Sequence, residues 1–139
     1  MSEVEYLHLP AGSSLPIRNA TPRKTIVVVE QDVTEEWRAE VSDWIVASGC
    51  LCMMAWGLEC SLWDDSVDIA NLQRIDFGDM PDEQFVMTTW HEDDPLSEVF
   101  WFSQNCAQHP TLDLSRTTIL HIAERPDRDG MLRSYEEAK

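Results

Sequence analysis

KTIVVVEQDVTEEWRAEVSDWIVASGC, residues 24–50, decides the fold class. Its first part, KTIVVVE (24–30), is a continuous β-branched run. That composition suits a strand buried on both faces, as strands are in a parallel sheet. The second part changes period. Asp32 or Thr34 is placed to cap a helix, and Glu35 and Glu36 fall in a first turn where the helix dipole favours acids. Trp37, Val41, Trp44, Ile45 and Ser48 share one helical face, and Gly49 stands where a left-handed residue ends a helix. Strand and helix together make one βα unit.

The same alternation repeats downstream. CLCMMAWG (50–57) is an apolar run of strand length, and SLWDDSVDIANLQRI (61–75) reads as a helix with Ser61 and Asp64 at capping-box spacing. DFGDMPDEQ (76–84) is a loop, and FVMTTW (85–90) is a third strand. Asp94 and Pro95 make a cap and first-turn pair for a helix over LSEVFWFSQNCAQ, with Leu96, Val99, Phe100, Ser103, Cys106 and Ala107 inward. TTILHIA (117–123) is a fourth strand, and DRDGMLRSYEEAK is a weak helix interrupted at Gly130. Residues 1–24, broken by Pro10, Gly12, Pro16 and Pro22, read as an irregular N-terminal arm, with residues 25–139 as a single α/β domain. The expected architecture is a small doubly wound, Rossmann-like three-layer sandwich. Its four-stranded, mainly parallel sheet has order 2-1-3-4 and helices on both faces.

Charge is the unusual quantity. The chain carries 26 acids against 10 Lys plus Arg, a formal net charge of −16 over 139 residues. Between Thr25 and Thr111 the only basic residues are Arg38 and Arg74. Such a surface repels phosphate backbones and anionic lipid, so neither nucleic acid nor a membrane is the expected partner. It suits a basic protein, a bound cation, or solubility alone. Cys50, Cys52, Cys60 and Cys106 lack metal-ribbon or CxxC spacing and read as thiols in a reducing compartment. No secretory leader and no apolar span is evident, so a cytoplasmic protein is expected.

In doubly wound sheets ligands bind beyond the carboxyl ends of the strands, at the point where strand order reverses. Order 2-1-3-4 brings the tip Glu30-Gln31-Asp32 together with His91-Glu92-Asp93-Asp94, beside Trp56 to Ser61. An acidic rim with aromatic anchors is the chemistry of a docking surface, as in inhibitors and immunity-type proteins that plug basic partners. Glu30, Asp32, Trp56, Glu59, Trp90, His91, Glu92 and Asp93 are the candidate partner-binding residues, with no catalytic group and no cofactor required. The alternative is a hydrolase of phosphate esters that uses Mg²⁺ held by Glu30, Asp32, Glu92 and Asp93. A further possibility pairs Cys60, near a helix start, with His91 as base. His121, inside a strand, reads as a satisfied core histidine.

TIVVVEQDVTEEWRAEVSDWIVASGC followed by FVMTTWHEDDPLSEVFWF resembles two βα units of a response-regulator receiver domain. The resemblance places Glu30 and Asp32 near that family's acidic pair, and Thr88 or Thr89 near its hydroxyl. It departs elsewhere: only Asp79, in a loop, stands for the acceptor aspartate, and HIAERP lacks the lysine after the last strand. It implies a fold class and no phosphotransfer. GLECSLWDDSVDIANL and FVMTTWHEDDPLSEVFWF also resemble a family of small uncharacterised bacterial proteins over about residues 24–124, which implies no activity.

Overall fold

The computed structural model describes residues 3–74, 78, 81 and 84–139. Nine elements follow one another: β1 (Glu3–His8), β2 (Arg23–Val29), α1 (Glu35–Ala47), β3 (Cys50–Gly57), α2 (Cys60–Arg74), β4 (Met87–His91), α3 (Leu96–Asn105), β5 (Arg116–Ile122) and α4 (Arg128–Glu137). The expected loop over 76–84, Asp79 included, lies largely outside the described residues. The α/β class holds, with all strand pairs parallel in one five-stranded sheet of order β1-β5-β2-β3-β4.

Two expectations about the sheet are corrected. First, the sheet has five strands: residues 3–8 of the supposed irregular arm form β1 and pair with β5 from Glu3↔Arg116 to His8↔His121. The chain breakers begin only at Pro10, and EVEYLH ahead of them alternates with period two. Second, order 2-1-3-4 fails. The strands at 24–30, 50–57, 85–90 and 117–123 lie in spatial order 4-1-2-3, with β1 outside the fourth. Successive βα units step in one direction from β2 to β4, and α3 then carries the chain back across the sheet to β5. The reversal therefore lies between β2 and β5.

Alternation sorts side chains into two cores. Val27, Val29, Met53, Ala55, Leu120 and Ile122 pack under α1 and α2. Ile26, Val28, Cys52, Met54 and Ile119 pack under α3 and α4. With both faces covered, β2 and β5 need apolar residues at nearly every position, and KTIVVVE and TTILHI supply them. The crossing segment between β1 and β2 is held by indole donors: Trp37 Nε1 donates to Ser13 O (3.0 Å) and Trp44 Nε1 to Pro16 O (2.8 Å).

Helix ends are set locally. Thr34 caps α1, its hydroxyl accepting from Trp37 N at 3.1 Å. α2 starts at Cys60, and Asp64 turns to Thr88 and Asp68 rather than back to a cap. Pro95, not Asp94, caps α3, with no side-chain bond. α4 runs through Gly130, whose N–H is the one that the Asp127 carboxylate caps at 3.2 Å. A Cβ at residue 130 would overlap that carboxylate. Cys106, expected inward, is exposed just past the end of α3, whereas Cys50, Cys52 and Cys60 are buried.

Asp64 is a buried acid among the described residues. It is 6% exposed. Burial, with Asp68 and Asp65 adding like charge, pushes its carboxyl up to about 6. In an unfolded chain an aspartate titrates near ~3.9. Folding therefore takes up a proton at pH between those values, and stability falls as pH rises through that window. Asp64→Asn is expected to raise the thermal midpoint near neutral pH and to flatten its decline between about pH 4 and about 7. Thermal melts of both proteins across that range check this; parallel curves would contradict it.

Candidate functional site

Parallel strands deliver all their carboxyl ends to one edge, so β2, β3 and β4 each send a loop there. β2 ends at Val29 and Glu30 follows. β3 ends at Trp56-Gly57. Gly57 has φ +101°, and a Cβ there would strike the Val29 carbonyl; only glycine lets β3 leave so close to β2. Leu58 N then donates to Val29 O at 2.9 Å, which ties the two exits together. β4 ends at His91, and Glu92-Asp93-Asp94-Pro95 lead into α3. Trp56 Nε1 donates to Asp94 O at 2.7 Å, so the indole is fastened to that loop.

Between these exits lies an open cleft of about 700 Å³, lined by Glu30, Trp56, Leu58, Glu92, Asp93 and Asp94 among others. Its described wall contains no Lys or Arg. Four of the eight candidate residues thus line one cleft: Glu30, Trp56, Glu92 and Asp93. Although the strand order differs from 2-1-3-4, β3 sits between β2 and β4, and the two acidic tips still face each other across it.

The other four stand apart from the cleft. Asp32 is exposed and outside its wall. Glu59 pairs with Arg38 at 3.3 Å. Trp90 is exposed, on the same face of β4 as Thr88, which bonds Asp68 of α2. His91 stacks edge-on against Phe102 with ring centroids 5.2 Å apart, bonds Thr89 Oγ1 through Nε2 (2.9 Å), and has Nδ1 at 3.4 Å from Asp94 Oδ2. It braces the acidic loop from behind. The Cys60–His91 pair does not form. The Cys60 thiol hydrogen-bonds the backbone of His91, while the His91 ring lies against Phe102 of α3. Burial also pushes the Cys60 thiol up, the opposite of activation.

Glu30 has a partner that sequence reading missed. At the reversal between β2 and β5, His121 Nε2 meets Glu30 Oε1. Behind it, His121 Nδ1 bonds Tyr6 Oη at 2.7 Å, and Tyr6 Oη accepts from Asp127 N at 2.8 Å. Since the phenol oxygen already accepts the amide, its own proton points to Nδ1, which leaves the imidazole proton on Nε2 facing Glu30. Burial holds the Tyr6 hydroxyl protonated above its usual range, consistent with that assignment. His8 flanks the group, its ring 6.2 Å from that of His121 and its Nε2 2.7 Å from Ala123 O. His121 is satisfied within the core, as expected, and what satisfies it is a residue of the cleft. The cue was β1: with EVEYLH read as a strand, Tyr6 and His8 fall beside His121.

Among the described residues no three Asp, Glu, His or Cys side chains gather to hold a metal ion. Among the described residues, no helix is long and apolar enough to cross a membrane.

A family model, Domain of unknown function (DUF7684), matches residues 4–138. The chain belongs to that family. The match takes in β1 and α4, beyond the 24–124 span of the resemblance noted above. No curated protein and no solved structure matches.

Tyr6→Phe removes the acceptor of the Asp127 amide, a part-buried bond, and the donor to His121, a buried one. A loss of about 1–3 kcal/mol is expected in urea unfolding. An unchanged midpoint would show that the Tyr6–His121 bond contributes nothing.

Proposed function

We propose that this protein is a binding module that docks a basic protein partner in the acidic cleft at the carboxyl edge of its sheet. One observation carries the reading: Glu30, Glu92, Asp93 and Asp94 converge on a cleft floored by Trp56 and Leu58, with no basic side chain in its described wall. Carboxylates with no Lys or Arg beside them attract an external cation, and an indole next to them gives an arginine or lysine a face to rest on. Pre-ordering supports the same reading. His121 holds one oxygen of Glu30, Trp56 holds the Asp94 backbone, and His91 stacked on Phe102 backs the loop. Side chains ordered in advance lose less entropy on binding. The cytoplasm is the proposed compartment.

The test is a titration with a hexa-arginine peptide. It compares the wild type, Glu92→Gln/Asp93→Asn, and Glu35→Gln/Glu36→Gln, which loses the same charge in the exposed first turn of α1. The wild type is expected to bind with an affinity that falls steeply with salt. The cleft variant should lose about five- to tenfold, at about 0.5–0.7 kcal/mol per charge. The α1 variant should lose less than twofold, within the range of screened surface charge. Equal losses in both variants would reduce the interaction to net charge and remove the cleft as the site.

A further inference from the structure

β1 and β4 are the two edges of the sheet, and they are guarded differently. β1 exposes Glu3 and Glu5, which pair with Arg116 and Arg18. Charges of this kind discourage strand addition. β4 and its lead-in, FVMTTWH at 85–91, hold no Asp, Glu, Lys or Arg. Among the described residues no strand pairs with the outer side of β4. Phe85, Met87 and Trp90 are exposed beside it, Trp90 at 51%.

Acids flank this edge on the α2 face. Thr88 donates to Asp68 Oδ1 at 2.8 Å. Asp64 lies against Thr88 and Asp68, with Asp65 close by. Asp64 is more than nine-tenths buried, and its Oδ2 has no hydrogen-bond partner among the described residues. None of the ion pairs seen reaches Asp64, Asp65 or Asp68. A buried carboxylate oxygen with no donor is costly, so it marks a place where a donor from outside gains more than it would in water.

We propose that the outer edge of β4 takes up an extended basic segment of a protein partner as an added strand, with a lysine or arginine of that segment reaching Asp64 and Asp68. The proposal rests on the reading of a basic partner and adds a second contact surface, starting where β4 runs into the acidic loop. The main chain of the segment fills the open donors and acceptors of β4, the mode by which peptides extend sheets. Alternate side chains of a strand share a face. A segment with a basic residue at every second position therefore lays its cations along Thr88 and Trp90, beside the Asp64–Asp68 pair, and its apolar residues along Met87 and Thr89. The Trp90 indole adds a face for the cation. A second copy of the chain is disfavoured as occupant, because a twofold axis through the β4 edge would bring the Asp65 and Asp68 of each copy together.

The test is an amide-resolved NMR titration with an alternating Lys–Val heptapeptide, with its Glu–Val counterpart as control and Mg²⁺ alone as a further arm. Lys–Val is expected to shift the amides of Met87–His91 and slow their hydrogen exchange, while Glu–Val does neither. Asp64→Asn/Asp68→Asn should weaken binding about tenfold, as loss of a buried charge-assisted contact does. Trp90→Ala, at an exposed position that does not hold the fold, should weaken it about threefold. Shifts confined to Trp56 and Glu92–Asp94 would overturn the edge proposal and leave the cleft reading standing. Shifts at β4 alone would support the edge and count against the cleft. Affinity unchanged in both variants would overturn the placement of the cation. A response of Asp64 and Asp68 to Mg²⁺ without one to Lys–Val would replace the peptide by a metal ion and overturn the proposal. Silence in every arm would overturn both readings.

Discussion

In a parallel sheet every strand leaves by the same edge, and everything particular to this molecule follows from that constraint. Each return to the opposite edge requires a crossover, and the crossovers cover both faces with helices. β2, β3 and β5 are then sealed on two sides, which dictates runs such as IVVV and CMMA and leaves polar groups few places to go. One of those places is the carboxyl edge, where Glu30, Trp56, Glu92 and Asp93 gather. The cleft is thus a product of topology before it is a product of any particular side chain.

Four of the cations, Arg18, Arg23, Lys24 and Arg38, are engaged by groups of the body, while Arg74, Arg116, Arg125, Arg128, Arg133 and Lys139 are exposed. Arg23, almost fully buried, donates to the carbonyls of Asn19, Thr21 and Ser48 and to two threonine hydroxyls. Lys24 donates to Ser103 O. Arg18 sits over the Trp44 ring at 5.3 Å and pairs with Glu5, and Arg38 holds Glu59. These groups fasten the crossing segment and the β3–α2 turn to the body. Among the described residues no Lys or Arg lines the cleft, and none pairs with Asp64, Asp65 or Asp68, so part of the net charge of −16 acts locally at these two surfaces.

Much of the fold was legible because it is written in periods. The change from KTIVVVE to the three-to-four-residue spacing of Trp37, Val41, Trp44 and Ile45 marks β2 and α1, and the same change marks the later units. Strand order was not legible, since parallel neighbours are chosen by crossovers whose direction no local pattern records. β1 was hidden because EVEYLH carries two acids in six residues, as an edge strand can, and sits next to Pro10 and Gly12. At the cleft, Glu30, Trp56, Glu92 and Asp93 were reachable as residues at strand exits. Asp32, Glu59, Trp90 and His91 were not separable from them, because which face a residue takes at or just past the end of a strand depends on the strand's register and exit angle. The Tyr6–His121–Glu30 chain joins residues up to 115 positions apart and could be found only once β1 was known to be a strand.

The place of β5 has a consequence for how the chain comes together. It is the last strand in sequence, yet it lies between β1 and β2, the first two. Those two strands cannot meet each other, and each keeps one hydrogen-bonding side open until residues 116–122 arrive. On a ribosome the early βα units can assemble β2, β3 and β4 as they emerge, while β1 waits with no neighbour. Closure spans more than a hundred residues and must come late, which raises the loop entropy to be overcome before the sheet is whole. The same event sets His121 beside Glu30, so the cleft gains its support only when the centre of the sheet is filled.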